Sequence, residues 1–195
     1  MAAGEGLRLR PLTERWPKPV LPIDGRPVIA SLVRELAAAG FTRATVVTGH
    51  LAEQIESLLG DGSAFGLELG YARQPSAEGS ADAVRRALVA GVRAPLVVTA
   101  ADTVFRPGDI RLFAEQFAAS GGATALAARP DGGWAPLWGL PKVVTDILDD
   151  LPGPPFELLA AVERAGAEIR RIEIGITRDL TSPVDLVQEN FSYLR

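Results

Sequence analysis

At 195 residues, with 47% apolar and 23% charged residues, 20 Gly and 15 Pro, the chain has the composition of a soluble globular protein that buries roughly 70% of its unfolded surface, which excludes disordered and fibrous classes. Twenty Lys and Arg against 24 Asp and Glu leave a net charge of −4; no Lys/Arg-rich run is present to follow a nucleic acid or an anionic membrane, so neither is expected as a partner and any bound anion must meet a local patch. The lack of Cys removes disulfides, thiol nucleophiles and thiolate metal sites, and a single His, His50, removes a multi-His zinc site, so a metal here is hard and oxygen-ligated by Asp or Glu.

The first six residues lack the apolar core of a signal peptide, and no apolar run nears the roughly 18 residues of a membrane span, which predicts a cytoplasmic protein. After an opening punctuated by Gly and Pro, apolar side chains at 28, 29, 32, 33 and 36 predict a helix over 28–39 closed by Gly40. Ala44 to Gly49 reads as a short buried strand, Leu51 to Leu59 as a helix, Gly60-Asp61-Gly62-Ser63 as a turn and Leu67 to Ala72 as a strand. Ser80 to Val89 has helical spacing, and Pro95 to Ala100 is a β-branched apolar run of the kind buried inside a parallel sheet, ending at Asp102. A helix from Pro107 to Ala119 and a strand from Ala123 to Ala127 repeat the alternation, which predicts a three-layer α/β fold.

Residues 129–141 are expected to be irregular, and Pro152, Pro154 and Pro155 punctuate a second loop. A helix from Phe156 to Ala165, a strand from Glu168 to Glu173 and a last helix starting near Pro183 complete the chain. With no linker, repeat or low-complexity tract, residues 1–195 read as a single domain.

Chemistry concentrates at the front. Gly4-Glu5-Gly6-Leu7-Arg8-Leu9-Arg10-Pro11-Leu12-Thr13, followed by Pro17-Lys18-Pro19, is neither a Walker A loop nor a dinucleotide fingerprint. Glycine still lets backbone N–H groups approach phosphate oxygens, Arg can clamp them with two parallel hydrogen bonds, and the flanking prolines stiffen the backbone that carries Lys18. Gln74 carries both a donor and an acceptor. Asp102 follows a buried strand, where open α/β sheets bind ligands.

Taken together, Ala2-Ala3-Gly4-x-Gly6-x-Arg8-Leu9-x-Pro11-Leu12-Thr13 and Pro17-Lys18-Pro19-Val20-Leu21-Pro22-Ile23 resemble the signature of the sugar-1-phosphate nucleotidyltransferases. Val47-Thr48-Gly49-His50, Tyr71-Ala72-Arg73-Gln74-Pro75 with Gly79-Ser80-Ala81-Asp82-Ala83, and Asp179-Leu180-Thr181-Ser182-Pro183-Val184-Asp185-Leu186 are similar to that family's later segments, in the same order. The resemblance implies a Rossmann-like three-layer α/β/α fold with a mixed, mostly parallel sheet. It implies transfer of a nucleoside monophosphate, UMP or dTMP, from a nucleoside triphosphate to a sugar-1-phosphate, with release of pyrophosphate.

By the same resemblance Arg8 and Lys18 are catalytic. Ala2, Ala3, Gly4, Gly6, Gln74 and Gly79 bind the nucleotide, Asp102 and Asp179 hold Mg²⁺, and Gly139 meets the sugar. His50 reads as a structural residue, Asp185 as a helix-dipole partner, and Trp134 and Trp138 either as a wall for a sugar ring or as hydrophobic anchors. The resemblance thins between 127 and 155, and Leu7 stands where the family has a small hydroxyl residue. Family members also have an apolar strand before Ala-Ala-Gly, so the natural reading frame is expected to begin a few codons upstream. A binding homologue without catalysis, and transfer to another phosphorylated acceptor such as phosphocholine or a phosphonate, are the alternatives; a homo-oligomer is left open.

Overall fold

The computed structural model describes residues 1–148, 157–164 and 166–191. Three 3₁₀ turns, Leu7–Leu9, Leu12–Glu14 and Lys18–Val20, open the chain, and β1 (Pro22–Ile23) pairs with β2 (Arg26–Pro27) as a small hairpin. The predicted alternation follows with small shifts at its ends: α1 (Val28–Ala38), β3 (Arg43–Thr48), α2 (Ala52–Leu59), β4 (Glu68–Arg73), α3 (Ser80–Val89), β5 (Leu96–Thr99), then, unanticipated, the short β6 (Thr103–Val104), and α4 (Asp109–Ala118) and β7 (Thr124–Ala128). The rest comprises β8 (Trp134–Leu140), α5 (Lys142–Ile147), α6 (Leu158–Arg164), β9 (Ile169–Glu173), β10 (Arg178–Asp179) and α7 (Pro183–Asn190). Pro152, Pro154, Pro155 and the predicted helix ends at Phe156 and Ala165 lie outside the described residues.

The expectation of an irregular 129–141 is corrected by β8, which lies between β5 and β7 and runs antiparallel to both. Ala135, Leu137 and Gly139 are buried while Trp134, Pro136 and Trp138 are more open, the period-two pattern of a strand. Pro136 looks like a strand breaker but falls where the β7–β8 register shifts, between Leu126 and Ala128, so its missing N–H costs no ladder bond. Its carbonyl accepts from Ala100 N–H at 3.1 Å. The helix α5, unanticipated, starts directly after Pro141 and carries a Lys142–Asp146 ion pair one turn apart.

Apart from β8, the main sheet is parallel. β3 pairs with β4, β7 pairs with β9, and Met1 and Ala2 join the two halves. Ala2 N–H donates to Val47 O at 2.8 Å, the Met1 α-amine donates to Thr99 O at 2.7 Å, and Ala101 N–H donates to Met1 O at 2.9 Å. The order across the sheet is therefore β4, β3, residues 1–2, β5, β8, β7, β9. One face is packed by Ile29, Leu32 and Val33 of α1, Ile55 and Leu59 of α2, and Phe113 and Phe117 of α4. The other face meets α3, α5 and α6 through Val84, Val144, Leu158 and Val162, so the chain forms the three-layer α/β/α arrangement. No helix among the described residues is long and apolar enough to cross a membrane.

Gly139 has a packing reason to be glycine. A Cβ built there lies 2.5 Å from Cγ of the Phe117 ring, a distance that forces the ring or the strand to move. Gly139→Ala is expected to lose about 1–3 kcal/mol, read as a lower thermal midpoint. Gly4→Ala, where a Cβ meets nothing within 4 Å, is expected to melt within about 0.5 kcal/mol of the parent. Equal midpoints for the two variants would show that Phe117 turns aside freely and that packing does not demand Gly139.

Candidate active site

Because the strands from β4 to β5 run in one direction, their C-terminal ends share one edge of the sheet. Gln74 follows β4, His50 follows β3 and Thr48, the loop from Ala3 to Thr13 follows the central Met1–Ala2 segment, and Asp102 follows β5. This is the edge at which parallel α/β sheets bind ligands. Arg129, directly after β7, reaches the same edge, as does Trp134 at the start of the antiparallel β8.

The opening loop is braced from within. Gly6 sits at φ 63°, and a Cβ on it would stand 2.8 Å from Thr13 Cγ2, so both the backbone and the packing require glycine. Thr13 is buried and its Oγ1 donates to Gly6 O at 2.9 Å. His50 Nε2 donates to Thr13 O at 2.8 Å, which ties the loop to the end of β3 and gives His50 the structural part expected of it. Ala2 and Ala3 are buried, so only their main chain can meet a ligand. Arg10 pairs with Glu5 at 3.3 Å, whereas Arg8 is exposed and makes no ion pair among the described residues.

Lys18 lies between Pro17 and Pro19 in a 3₁₀ turn, and its Nζ donates to Asp102 Oδ2. Both side chains are about a quarter exposed or less, at 20% and 25%. Asp179 arrives from the far end of the chain through the antiparallel pair β6–β10, in which it stands opposite Thr103. Thr103 Oγ1 donates to Asp179 Oδ1 at 2.6 Å, Thr177 Oγ1 donates to Asp179 Oδ2 at 3.2 Å, and Leu180 N–H donates to Asp102 O at 3.4 Å. Two carboxylates 77 positions apart in sequence thus flank one short ladder. Arg129 Nη1 is 3.7 Å from Asp179 Oδ2, so each carboxylate is accompanied by a cation. The buried Met1 α-amine is also close; burial pushes its pKa down to about 6, with the Asp102 charge acting the other way.

No group of three or more His, Cys, Asp or Glu able to hold a metal occurs among the described residues. Asp102 and Asp179 are hard oxygen donors, and one or two carboxylates completed by substrate phosphates is the usual Mg²⁺ arrangement, so this pair fits such an ion.

Gln74 is 5% exposed. Its Nε2 donates to Gly79 O at 3.0 Å and to Asp82 Oδ2 at 2.9 Å. Asp82 also accepts from Arg85 at 2.5 Å and Arg86 at 3.3 Å. Burial pushes the Asp82 carboxyl up, but the hydrogen bonds from Gln74, Arg85 and Arg86 together outweigh it and hold the group below the ordinary aspartate value.

Of the remaining expectations, Asp185 closes a capping box with Ser182 at the start of α7, accepting from Thr181 N–H at 2.8 Å and Ser182 N–H at 2.6 Å. The Ser182 N–H does most to hold its carboxyl low. Trp138 packs into the cluster formed by α3, α5 and α6, which makes it an anchor. Trp134 is 45% exposed under the Arg171 guanidinium. Gly139 stands mid-strand in register with Val97 and Ala125. Arg129, Thr103, Thr177 and Asp82 were not anticipated as partners of the site. Only Thr103, next to Asp102, and Asp82, within the Gly79–Ala83 segment, had a signal in sequence position.

Residues 1–133 match the family model described as nucleotidyl transferase. A stretch of 76 residues is 45% identical to N-acetylmuramate alpha-1-phosphate uridylyltransferase of Neisseria meningitidis serogroup B, covering 39% of this chain and 33% of that protein. A longer stretch of 152 residues is 32% identical to CMP-5'-(3-aminopropyl)phosphonate synthase of Streptomyces rubellomurinus, covering 77% of this chain and 24% of that protein. The chain therefore spans about a third or less of these relatives' lengths. Among solved structures, UDP-glucose pyrophosphorylase complexed with UDP-glucose superposes with a TM-score of 0.82 at 18% identity, over 99% of this chain and 96% of that one. UDP-glucose pyrophosphorylase of Acinetobacter baumanii gives 0.77 at 18% identity, over 98% and 90%. At these identities the likeness is one of fold.

Proposed function

The chain belongs to the nucleotidyl transferase family, and from that premise we propose that it transfers UMP or dTMP from a nucleoside triphosphate to a sugar-1-phosphate. A phosphate oxygen of the sugar-1-phosphate attacks the α-phosphorus, the bond from that phosphorus to the bridging oxygen of the β-phosphate breaks, and pyrophosphate leaves with the electron pair. The substrates supply nucleophile and leaving group, so the protein need only hold two polyanions in line and stabilise the charge that builds between them. This agrees with a chain that has no Cys and a His committed to the loop.

The observation that carries the reading is the convergence of the Lys18–Asp102 pair and Asp179 beside the glycine loop at one sheet edge. Arg8, exposed and without an ion pair among the described residues, holds the triphosphate. The Lys18 ammonium moves from Asp102 to the α-phosphate as charge develops there. Asp102 and Asp179 hold Mg²⁺, which when bound neutralises phosphate charge. Gly4 and Gly6 offer main-chain N–H groups to phosphate, and Gln74 with Gly79 meets the base.

Pyrophosphate release with UTP, dTTP, CTP, GTP and ATP against a panel of hexose-1-phosphates, with Mg²⁺, tests this. Turnover with UTP or dTTP and a hexose-1-phosphate is the expected result. The similarity to a CMP-phosphonate synthase over 77% of the chain favours one second reading, cytidylyl transfer to a phosphonate. Turnover with CTP and an aminoalkylphosphonate, but with no sugar phosphate, would select it. Tight nucleotide binding without pyrophosphate release under any combination would overturn both.

A further inference from the structure

We propose that Asp82 is a positioning residue that decides which bases the site accepts, by fixing the Gln74 amide with its carbonyl oxygen toward the base. The inference rests on the reading that Gln74 meets the nucleobase. Both partners of Gln74 Nε2, the Asp82 carboxylate and the Gly79 carbonyl, can only accept hydrogen bonds. Turning the amide over would set Oε1 against two acceptors and forfeit both bonds, so only one orientation is tolerated. Asp82 cannot yield, because its side chain is fully buried and braced by Arg85 and Arg86 from the next turn of α3.

This leaves Oε1 as the end of a 95% buried residue that no protein donor satisfies among the described residues. The Gly79 N–H at the head of α3 likewise has no acceptor among them. The site therefore offers a fixed acceptor with a donor nearby. Uracil and thymine match it with N3–H and an adjacent carbonyl, and guanine presents the same order through N1–H and O6. Cytosine and adenine present an unprotonated ring nitrogen and an amino group, the reverse order, and their ring nitrogen would face Oε1 acceptor to acceptor. Asp82 thus selects keto bases over amino bases without touching either.

The test measures kcat/KM for UTP and CTP with one sugar-1-phosphate, and calorimetric affinity for both nucleotides, in the parent, Asp82→Asn and Gln74→Ala. Asparagine can turn either end of its amide toward Gln74, which removes the acceptor-only partner and leaves the Gly79 carbonyl alone to hold the orientation. The expected result is a UTP-to-CTP preference reduced at least about 10-fold in Asp82→Asn, in both kinetics and affinity, with thermal melting unchanged in cooperativity. A uniform loss for both nucleotides with the ratio intact would reduce Asp82 to a structural residue and overturn the proposal. If Gln74→Ala leaves the ratio unchanged, the base reading itself fails. If Gln74→Ala erases the ratio and Asp82→Asn keeps it, that reading stands and the lock does not. A parent that prefers CTP or ATP also overturns the proposal, and should Asp82→Asn not fold, Asp82→Ser, whose hydroxyl can donate or accept, carries the same comparison, a parental UTP-to-CTP ratio in it overturning the lock.

Discussion

Asp102→Asn and Lys18→Ala are each expected to lower turnover at least about 100-fold, the cost of losing one preorganised electrostatic stabiliser, while the chain remains folded. The two side chains form an ion pair between positions 84 apart in sequence. Proline on either side of Lys18 and a 3₁₀ turn through it fix where its stem starts. At 20% and 25% exposure the pair is partly shielded, so removing one charge leaves the other insufficiently compensated. The pair is neither so buried that its loss would unfold the chain nor so exposed that its charges are screened away.

Because the proposed reaction requires Lys18 to leave Asp102 for phosphate, the two residues act as a unit. The double variant should then cost about as much as the worse single one, not the product of the two. Steady-state pyrophosphate release, with thermal melts on the same samples, measures both effects. Near-parental turnover in either single variant would falsify the assignment. Equal losses of turnover and of folded protein would assign the pair to stability instead.

The alternation of strands and helices was legible because each long element has its own period. The spacing at 28, 29, 32, 33 and 36, the short apolar stretch at 44–49 and the β-branched run at 95–100 fall on α1, β3 and β5, with shifts of a residue or so at the strand ends. What escaped was the region where local chemistry and tertiary context disagree. β8 contains a proline and a glycine, both ordinarily breakers, and is a strand because β5 and β7 flank it and the register shift accommodates Pro136. The two-residue strands β6 and β10 are too short for any periodicity to announce them, yet they are what brings Asp179 beside Asp102.

The same division runs through the site. Glycines, Lys18 and the two aspartates stand in recognisable runs, so their positions could be named from the chain alone. Their partners could not, since Thr103 reaches Asp179 across 76 positions and Arg129 reaches it across 50. Gln74 shows the limit most sharply. Its amide could be expected at a base, but its hydrogen bonds to Gly79 O and Asp82 Oδ2 could not, and a side chain with both a donor and an acceptor has no direction until its neighbours supply one.

Asp179→Asn is expected to match Asp102→Asn, with turnover lowered at least about 100-fold, and to raise the Mg²⁺ concentration needed for half-maximal rate. The carboxylate is oriented by three groups. Thr103 Oγ1 holds Oδ1 at 2.6 Å, Thr177 Oγ1 holds Oδ2 at 3.2 Å, and Arg129 stands 3.7 Å from the same Oδ2. Asparagine keeps the size and one acceptor oxygen but loses the charge on which a hard cation depends. The Thr103 hydroxyl touches no phosphate in this scheme and acts only by aiming the carboxylate. Thr103→Val should therefore shift the Mg²⁺ requirement by about 10- to 100-fold, the usual cost of losing an outer-sphere hydrogen bond, with a smaller loss of maximal rate when Mg²⁺ is saturating. Magnesium titrations of the rate, and Mn²⁺ binding followed directly on each variant, separate the two effects. Asp179→Asn with an unaltered Mg²⁺ titration and unaltered Mn²⁺ binding would remove Asp179 from the metal, and the ladder between β6 and β10 would then serve only to close the fold.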